Sequence, residues 1–197
     1  MKKYVFSMAV IALALISTKS QAQSLKSLFG GVEKAVNTIT GTNTADITGT
    51  WTFTGSAVEF KSENLLMKAG GSVASSTVEG KIDQQLRRVG ITAGKMTFTF
   101  NTDSTFNAKV GTRNMNGTYS YEASAKKVNL KFVSLIGLSA KVNCTSDKMD
   151  LLFNSDKLLK LITFLSSKSS NTTLKSISSL SNSYDGMLTG FSFKSQK

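Results

Sequence analysis

The residues that most often carry chemistry at neutral pH are scarce in this 197-residue chain. It has no histidine, and Cys144 is its only cysteine. The absence of histidine excludes Ser-His-Asp and Cys-His catalysis and a zinc site of cysteine and histidine. One cysteine cannot form an intrachain disulfide. Cys144 alternates with Val142 and Ala140, which predicts a buried thiol that packs as a small apolar group.

Two other catalytic arrangements are compatible with the composition, but their spacing does not support them. Serine–lysine chemistry needs a positioned pair, and the serines and lysines at 155–157 and 166–168 fit helix ends better. Asp147 and Asp150 lie near a predicted turn, which favours solvated carboxylates over an acid/base pair. We therefore predict that the protein is not an enzyme and uses no metal or cofactor.

Aromatic residues that alternate with polar ones indicate a different function, an apolar binding pocket. The residues predicted to line it are Phe53, Phe98, Phe106, Tyr119, Tyr121 and Phe132. The two tyrosine hydroxyls would be polar handles for a ligand in an otherwise apolar site. Small residues on the same predicted faces would leave room for that ligand, namely Gly55, Gly117, Ala108 and Ala140.

The elements that must position these side chains begin with the run 46–54, which holds the only tryptophan. Alternation of period two predicts a strand here, with threonine on the wet side. Its inner face would carry Trp51, Phe53, Gly55 and Ala57, and its outer face Thr50, Thr52, Thr54 and Ser56.

Helical spacing predicts two pairs of helices that flank a series of strands. The first pair lies at about 62–69 and 73–89, and Asp83 is spaced to pair with Arg87 in the second helix. Six short alternating segments fill 95–154 and predict antiparallel strands. Residues 155–185 return to helix with a break at 166–170, and one more strand follows.

The predicted fold is mainly β with helical insertions. It is an eight-stranded antiparallel up-and-down barrel, with one helical pair after strand 1 and another before the last strand. Closure of the first strand on the last removes the exposed edges that an open meander would leave. A barrel of this size is either filled by side chains or holds one small ligand, and both alternatives stay open.

Two stretches resemble a known family. Gly49-Thr50-Trp51 in the first strand resembles the Gly-x-Trp signature of lipocalins and related calycins. The segment 100–106, followed by Gly117-Thr118-Tyr119, is similar to the strand-turn-strand pattern of lipocalin-like proteins exported by gut bacteria. Many of those belong to families of unknown function. The resemblance covers about 49–195.

The resemblance implies structural roles for a few residues. In lipocalins the tryptophan plugs the closed end of the barrel and packs under a basic residue from the last strand. Gly49 and Trp51 match the first part, and Lys194 is the only basic candidate in the last strand. Intracellular fatty-acid-binding proteins are also similar in one respect, because a helical pair follows their first strand as a lid.

Residues 1–22 have the features of a signal peptide. Lys2 and Lys3 precede an apolar run from Val5 to Ile16, and Ser20-Gln21-Ala22 offers small residues to a signal peptidase. No cysteine follows for lipid attachment. We expect cleavage after Ala22 and a soluble exported chain, either periplasmic or secreted. An uncleaved membrane anchor is the alternative.

The mature chain would comprise an N-terminal helix and linker at 23–45 and a single domain at 46–197. Removal of Lys2, Lys3 and Lys19 lowers the formal charge from +12 to +9. Only three arginines contribute to that charge. Because arginine is the better group for bidentate recognition of bases and phosphates, we expect a basic surface without nucleic-acid binding. A monomer without membrane contact is also expected.

Two functions remain open at this point. The first is an exported lipocalin-like binding protein for a small apolar or amphipathic ligand. The second is a filled barrel that acts as an envelope or protein-interaction scaffold. In that case the apolar helices at 25–39 and 158–165 would be the surfaces that dock a protein partner.

Overall fold

The structure, a computed structural model, describes residues 46–68, 70–133, 137–166, 171–184 and 186–196. In this part of the chain eight antiparallel strands close into a barrel in sequence order, and the last pairs with the first. The strands are β1 (Gly49–Phe60), β2 (Met96–Phe100), β3 (Thr105–Val110), β4 (Arg113–Glu122), β5 (Lys127–Phe132), β6 (Leu138–Cys144), β7 (Lys148–Phe153) and β8 (Met187–Ser195). The predicted fold class is confirmed.

The helices lie where the sequence predicted them. Helices α1 (Glu63–Lys68) and α2 (Ser72–Arg88) connect β1 to β2, and α3 (Ser155–Leu165) and α4 (Asn171–Ser181) connect β7 to β8. The Asn154 side chain caps α3 by accepting the backbone N–H of Lys157 at 3.1 Å. Gly90, with φ of 87°, follows the end of α2, where a left-handed residue stops a helix.

The barrel therefore has two unlike ends. At the turn end, β1 begins and the short turns at 101–104, 123–126 and 145–147 connect successive strands. We call the opposite end the helical end. There α1 and α2 connect β1 to β2, and α3 and α4 connect β7 to β8. This up-and-down order places each predicted site residue at a defined height between the two ends.

The inner face of β1 changes halfway along the strand. Phe53 lies opposite Phe193, and the register then shifts by one residue before Gly55. The resulting β-bulge turns Ser56 to the inner face, where it is buried. The prediction that Gly55 and Ala57 face inward and Ser56 faces outward is wrong, because one inserted residue reverses the alternation of every residue after it.

Helix α2 covers an edge of β1 that β2 leaves open. β2 pairs with β1 only as far as Thr52. Beyond that point the backbone N–H of Ser56 donates to Asp83 Oδ1 at 2.6 Å, and that of Val58 donates to Glu79 Oε1 at 3.1 Å. Buried N–H groups need partners, so two carboxylates of α2 replace the missing strand.

A partly buried ion pair joins β1 to β6 on the outer face of the sheet. Glu59 is only 7 % exposed, and it accepts from Lys141 Nζ at 2.5 Å and from Asn143 Nδ2 at 2.9 Å. β7 and β8 lie between these strands in the sheet order. They pack closely because Gly190 of β8 has no side chain, and a Cβ there would collide with the Leu151 carbonyl oxygen.

Several predicted segments lie outside the described residues. These are the signal peptide at 1–22, the helix and linker at 23–45, and parts of two connections at 134–136 and 167–170. Of the helices that the structure describes, none has both the length and the apolar character needed to cross a membrane.

Candidate functional site

Four of the six residues predicted to line a pocket lie together in the barrel interior. Phe98 stacks on Phe106 with ring centroids 6.0 Å apart, and Phe106 meets Phe132 edge-on at 4.8 Å. The ring of Phe193 contacts both Phe53 and Phe98, with centroid distances of 6.1 Å and 5.6 Å, and so connects Phe53 to the other three rings. We call these five rings the phenylalanine cluster. Each such contact stabilises the fold by about 0.5–1.5 kcal/mol beyond burial alone.

The rings of the phenylalanine cluster pack against one another rather than around an empty space. No more than 2 % of the surface of any of the five is accessible to water. The wall of a cavity large enough to hold a ligand would itself be accessible surface, so these five rings do not line such a cavity.

The small residues that were predicted to leave room for a ligand do not do so. A Cβ on Gly117 would lie 2.6 Å from the Phe106 ring, so that ring already fills the space above the glycine. Ala108 and Ala140 are buried. Gly55 faces outward after the bulge, and a Cβ there would lie 3.2 Å from Asp83 Oδ2.

Tyr119 is a half-buried residue at the turn end, with a polar hydroxyl group. Its hydroxyl donates to the Asn101 carbonyl oxygen at 2.8 Å, and its ring meets Phe100 edge-on at 5.0 Å. Burial raises the pKa of Tyr119, and the negative charges of Asp46 and Asp103 raise it further. The phenol is therefore uncharged at neutral pH and packs as an extension of the aromatic interior.

Tyr121 lies at the same end, near the buried Cys144. Burial raises the pKa of Tyr121, with smaller contributions from the ionised form of Cys144 and from Asp46. The Cys144 thiol lies 3.3 Å from the Thr145 carbonyl oxygen and 3.9 Å from that of Asp46. The prediction that Cys144 is buried is confirmed.

The residues assigned structural roles do not all meet. Trp51 is 1 % exposed and donates its indole N–H to the Ile47 carbonyl oxygen at 2.8 Å. Gly49 has φ of 118°, a conformation that favours glycine, at the start of β1. Lys194 is exposed and lies opposite Thr52 on the outer face, so the structure does not bring it onto Trp51.

The carboxylates considered for acid/base chemistry stabilise local structure instead. Asp147 accepts from the Thr145 hydroxyl at 2.9 Å, within a turn. Asp150 accepts from the Ser192 hydroxyl at 2.5 Å, across the β7–β8 pair. Among the residues that the structure describes, no three histidine, cysteine or acidic side chains are grouped so that they could hold a metal ion.

The apolar stretch at 158–165 is covered by the barrel. Its buried side chains are Leu158, Leu161, Ile162 and Leu165. Phe164 meets Phe132 at 4.8 Å, and Arg113 Nη1 donates to the last carbonyls of the helix at 2.8 and 3.1 Å. The apolar face of this stretch thus closes the helical end and packs against the barrel, while the docking of a partner stays a prediction. The other predicted docking segment, 25–39, lies outside the described residues.

Sequence reasoning missed the two residues of α2 that bind β1. Glu79 and Asp83 are four apart and share one helix face, but nothing in the sequence indicates that an open strand edge faces them. The predicted ion pair of Asp83 with Arg87 does not form, since the Asp83 carboxylate accepts the backbone N–H of Ser56.

A cleft of about 630 Å³ on the outside of the barrel, between α2 and α4, was also missed. Helix α2 contributes Lys81, Gln84 and Gln85, and α4 contributes five residues between Thr172 and Leu180. The two helices belong to different pairs, far apart in the chain. Helical periodicity predicts each of them but not that they lie side by side.

Comparison with known proteins agrees with this architecture. The family model described as "Lipocalin-like domain (DUF4923)" matches residues 25–195, which confirms the predicted lipocalin-like resemblance. No curated protein matches the chain. Among solved structures, the chain is similar to a DUF4847 family protein from Bacteroides vulgatus ATCC 8482, solved at 1.00 Å resolution. The identity is 14 % over 75 % of this chain and 92 % of that one, with a TM-score of 0.35. By the family match over most of its length, the chain belongs to the lipocalin-like domain family DUF4923.

Proposed function

We propose that the protein is an exported, non-catalytic binding protein whose barrel is filled by its own side chains and which recognises its partner on the outside. The observation that carries this proposal is the phenylalanine cluster, whose five rings are at most 2 % accessible. A lipocalin-like barrel is a binding-protein architecture. Of the two functions that the sequence left open, the packing favours the scaffold.

The energetics of the interior support this choice. A ligand that bound among these rings would have to displace at least one of them, such as Phe106. Exposing a buried phenylalanine costs about 1.5–3 kcal/mol, and the lost ring contacts cost about 0.5–1.5 kcal/mol each. An interior ligand would have to offset that cost before it gained any affinity, whereas a ligand on the outer surface would not.

Native mass spectrometry tests the filled barrel. The protein would be purified without denaturation from the host that makes it, and then extracted with organic solvent. We expect the mass of the polypeptide alone and no apolar molecule at one per chain in the extract. A stoichiometric lipid or other apolar compound in either measurement would overturn the proposal.

Export rests on the signal-peptide features of residues 1–22. The intact mass of the natural protein after cell fractionation tests it. We expect a chain that begins at Gln23, outside the cytoplasm. A cytoplasmic chain that retains Met1 would contradict export and leave the filled barrel unaffected.

The non-catalytic part of the proposal rests on the missing histidine and on the structural bonds of Asp147 and Asp150. A turnover screen with ester, amide, phosphate and glycoside substrates tests it. We expect no activity above that of buffer. Reproducible turnover that a single serine, lysine or aspartate substitution abolishes would show that the protein is an enzyme.

A second candidate, binding of a small apolar or amphipathic ligand inside the barrel, is favoured by one observation. Tyr119 and Tyr121 are half-buried beside the aromatic interior, where phenol groups could orient such a ligand. Trp51, the only tryptophan, lies at the same end and reports on it. Titration with a medium-chain fatty acid would change its fluorescence saturably under this candidate, and would leave it unchanged if the barrel is filled.

A further inference from the structure

Helix α2 separates its charges onto two faces. Its carboxylates turn toward β1, where Asp83 and Glu79 accept backbone N–H groups at 2.6 and 3.1 Å. Lys81 is two residues from each of them, just over half a turn around the helix, and it lines the cleft between α2 and α4 together with Gln84. The acids of this helix are thus held at the barrel, while Lys81 faces α4.

Helix α4 adds a second cation and no acid. Lys175 is the only charged residue between Asn171 and Ser181. Within the described residues, neither Lys81 nor Lys175 has a carboxylate within ion-pair distance, and the Gln84 amide has no hydrogen-bond partner. The cleft therefore presents two ammonium groups from opposite walls, and no carboxylate is among the described residues that line it.

Two lysines on the outer face of the sheet differ from this pair. Lys141 forms a 2.5 Å ion pair with Glu59, and Lys148 lies 3.8 Å from Asp150. Those ammonium groups are partly neutralised by neighbours in the fold. The two cleft lysines lack such neighbours among the described residues, so the charge they carry is available to a ligand.

We propose that this cleft binds a small, hydroxyl-rich anion, such as a sugar that carries a phosphate or carboxylate group. The two ammonium groups would attract the anionic group from both sides. Amides and hydroxyls both donate and accept hydrogen bonds, as the hydroxyls of a sugar require, and Gln84, Gln85, Thr172 and Ser179 line the cleft. Leu180 offers an apolar surface to the C–H face of a sugar ring.

The size of the cleft agrees with such a ligand. Its volume of about 630 Å³ lies within the range of roughly 300–1,000 Å³ that small-molecule sites occupy. The inference rests on the proposed function only in placing recognition outside the barrel. It can fail while the barrel stays filled, because solvent extraction tests the interior separately.

Two-dimensional NMR titration of the mature chain with glucose 6-phosphate, glucuronate and neutral glucose tests the proposal. In about 50 mM salt, where screening is weak, we expect amide shifts in α2 and α4 with both acidic sugars. Their dissociation constants should be about tenfold or more below that of glucose. An absence of shifts in these helices up to about 10 mM acidic sugar, an affinity too weak for a specific site, would overturn the proposal.

Matched double variants separate the cleft from general charge. Lys81→Gln with Lys175→Gln should weaken glucose 6-phosphate binding about tenfold or more. Lys109→Gln with Lys131→Gln removes the same charge from exposed sites on β3 and β5, and should leave binding unchanged. Equal weakening by both pairs, or inorganic phosphate that binds as tightly as glucose 6-phosphate, would show plain anion attraction and overturn a sugar site.

Discussion

The turn end and the helical end close the barrel by different means. At the turn end, short turns connect neighbouring strands that are paired up to the turn. Side chains there donate to backbone carbonyl oxygens, as Trp51 does to Ile47 and Tyr119 to Asn101. At the helical end, β1 outruns β2, and the carboxylates of Glu79 and Asp83 take the place of strand partners. One end is closed by strand pairing and short turns, and the other by helix side chains that bond the backbone of a strand.

This difference separates two roles within one fold. At the turn end, the short turns at 101–104, 123–126 and 145–147 connect strands that pair directly with each other. At the helical end, α2, α3 and α4 each bury one face against the core and carry polar side chains on the other, outer face. The proposed cleft between α2 and α4 lies on those outer faces. Between the two ends, the phenylalanine cluster fills the interior.

The largest effect should come from opening the interior itself. Phe106→Ala removes a ring that contacts Phe98 and Phe132 and covers Gly117. We expect the free energy of unfolding to fall by about 3–5 kcal/mol, the usual cost of a phenylalanine truncation in a packed core. Denaturant unfolding followed by Trp51 fluorescence measures it.

Met67→Ala is the control for Phe106→Ala, because Met67 is 72 % exposed. Its change in stability should stay within about 0.5 kcal/mol, as for other surface substitutions. A loss below about 1 kcal/mol for Phe106→Ala, far less than truncation of a packed ring costs, would mean that the ring borders space already present.

A smaller effect is expected at the helical end. Asp83→Ala leaves the backbone N–H of Ser56 without its 2.6 Å acceptor. The loss should be about 1.5–3 kcal/mol, as for a hydrogen bond to a charged group. Hydrogen exchange should locate it, with faster exchange at Ser56 and unchanged exchange at the amide of Tyr119, at the turn end.

The matched control is Asp103→Ala in the turn at 101–104. Hydrogen bonds from the Thr105 hydroxyl and backbone N–H lower the pKa of the exposed Asp103 carboxyl. Its removal should cost less stability than Asp83→Ala and should not change exchange at Ser56. If the two variants lose the same stability, the carboxylates at the helical end do not replace a strand.

The smallest effect is expected at the turn end. Tyr119→Phe removes the hydroxyl that donates to Asn101 and keeps the ring against Phe100. The expected loss at neutral pH is about 0.5–1.5 kcal/mol, the net value of a typical hydrogen bond. Denaturant unfolding of both proteins at pH 7 measures the difference.

The same variant should change the response to alkali. The pKa of Tyr119 is higher in the folded protein than the value of 10.0 for a free tyrosine. The unfolded chain therefore loses this proton first, so the contribution of Tyr119 is fully present below about pH 10 and is lost as the pH rises through the folded pKa. Tyr119→Phe should show a shallower loss of stability above that pH. An unchanged slope would mean that the folded state does not hold this proton more tightly.

Local patterns predicted most of the architecture. Alternation in β2 to β7 and periodicity such as Val78, Ile82 and Leu86 in α2 report directly on burial, because side chains in a closed barrel face either in or out. The bulge before Gly55 could not be predicted in this way. It depends on how β1 pairs with β8, and Thr54 fits either face of a strand.

Interactions between segments that are distant in the chain also could not be predicted from the sequence. Asp83 was expected to pair with Arg87 on its own helix, but an open strand edge offered a backbone N–H instead. The cleft depends on two helices from separate connections lying side by side. The packing of Phe106 over Gly117 favours a core over a pocket, and composition alone favours neither.

Titration with benzene, followed by NMR of the interior methyl and aromatic signals, tests the filled barrel most directly. Empty apolar cavities take up such a molecule. The wild-type protein should show no saturable shifts of Phe98, Leu130 or Met149, whereas Phe106→Ala, with its new cavity, should bind. Saturable binding of benzene inside the wild-type barrel would contradict a self-filled interior and restore the internal pocket as the site of function.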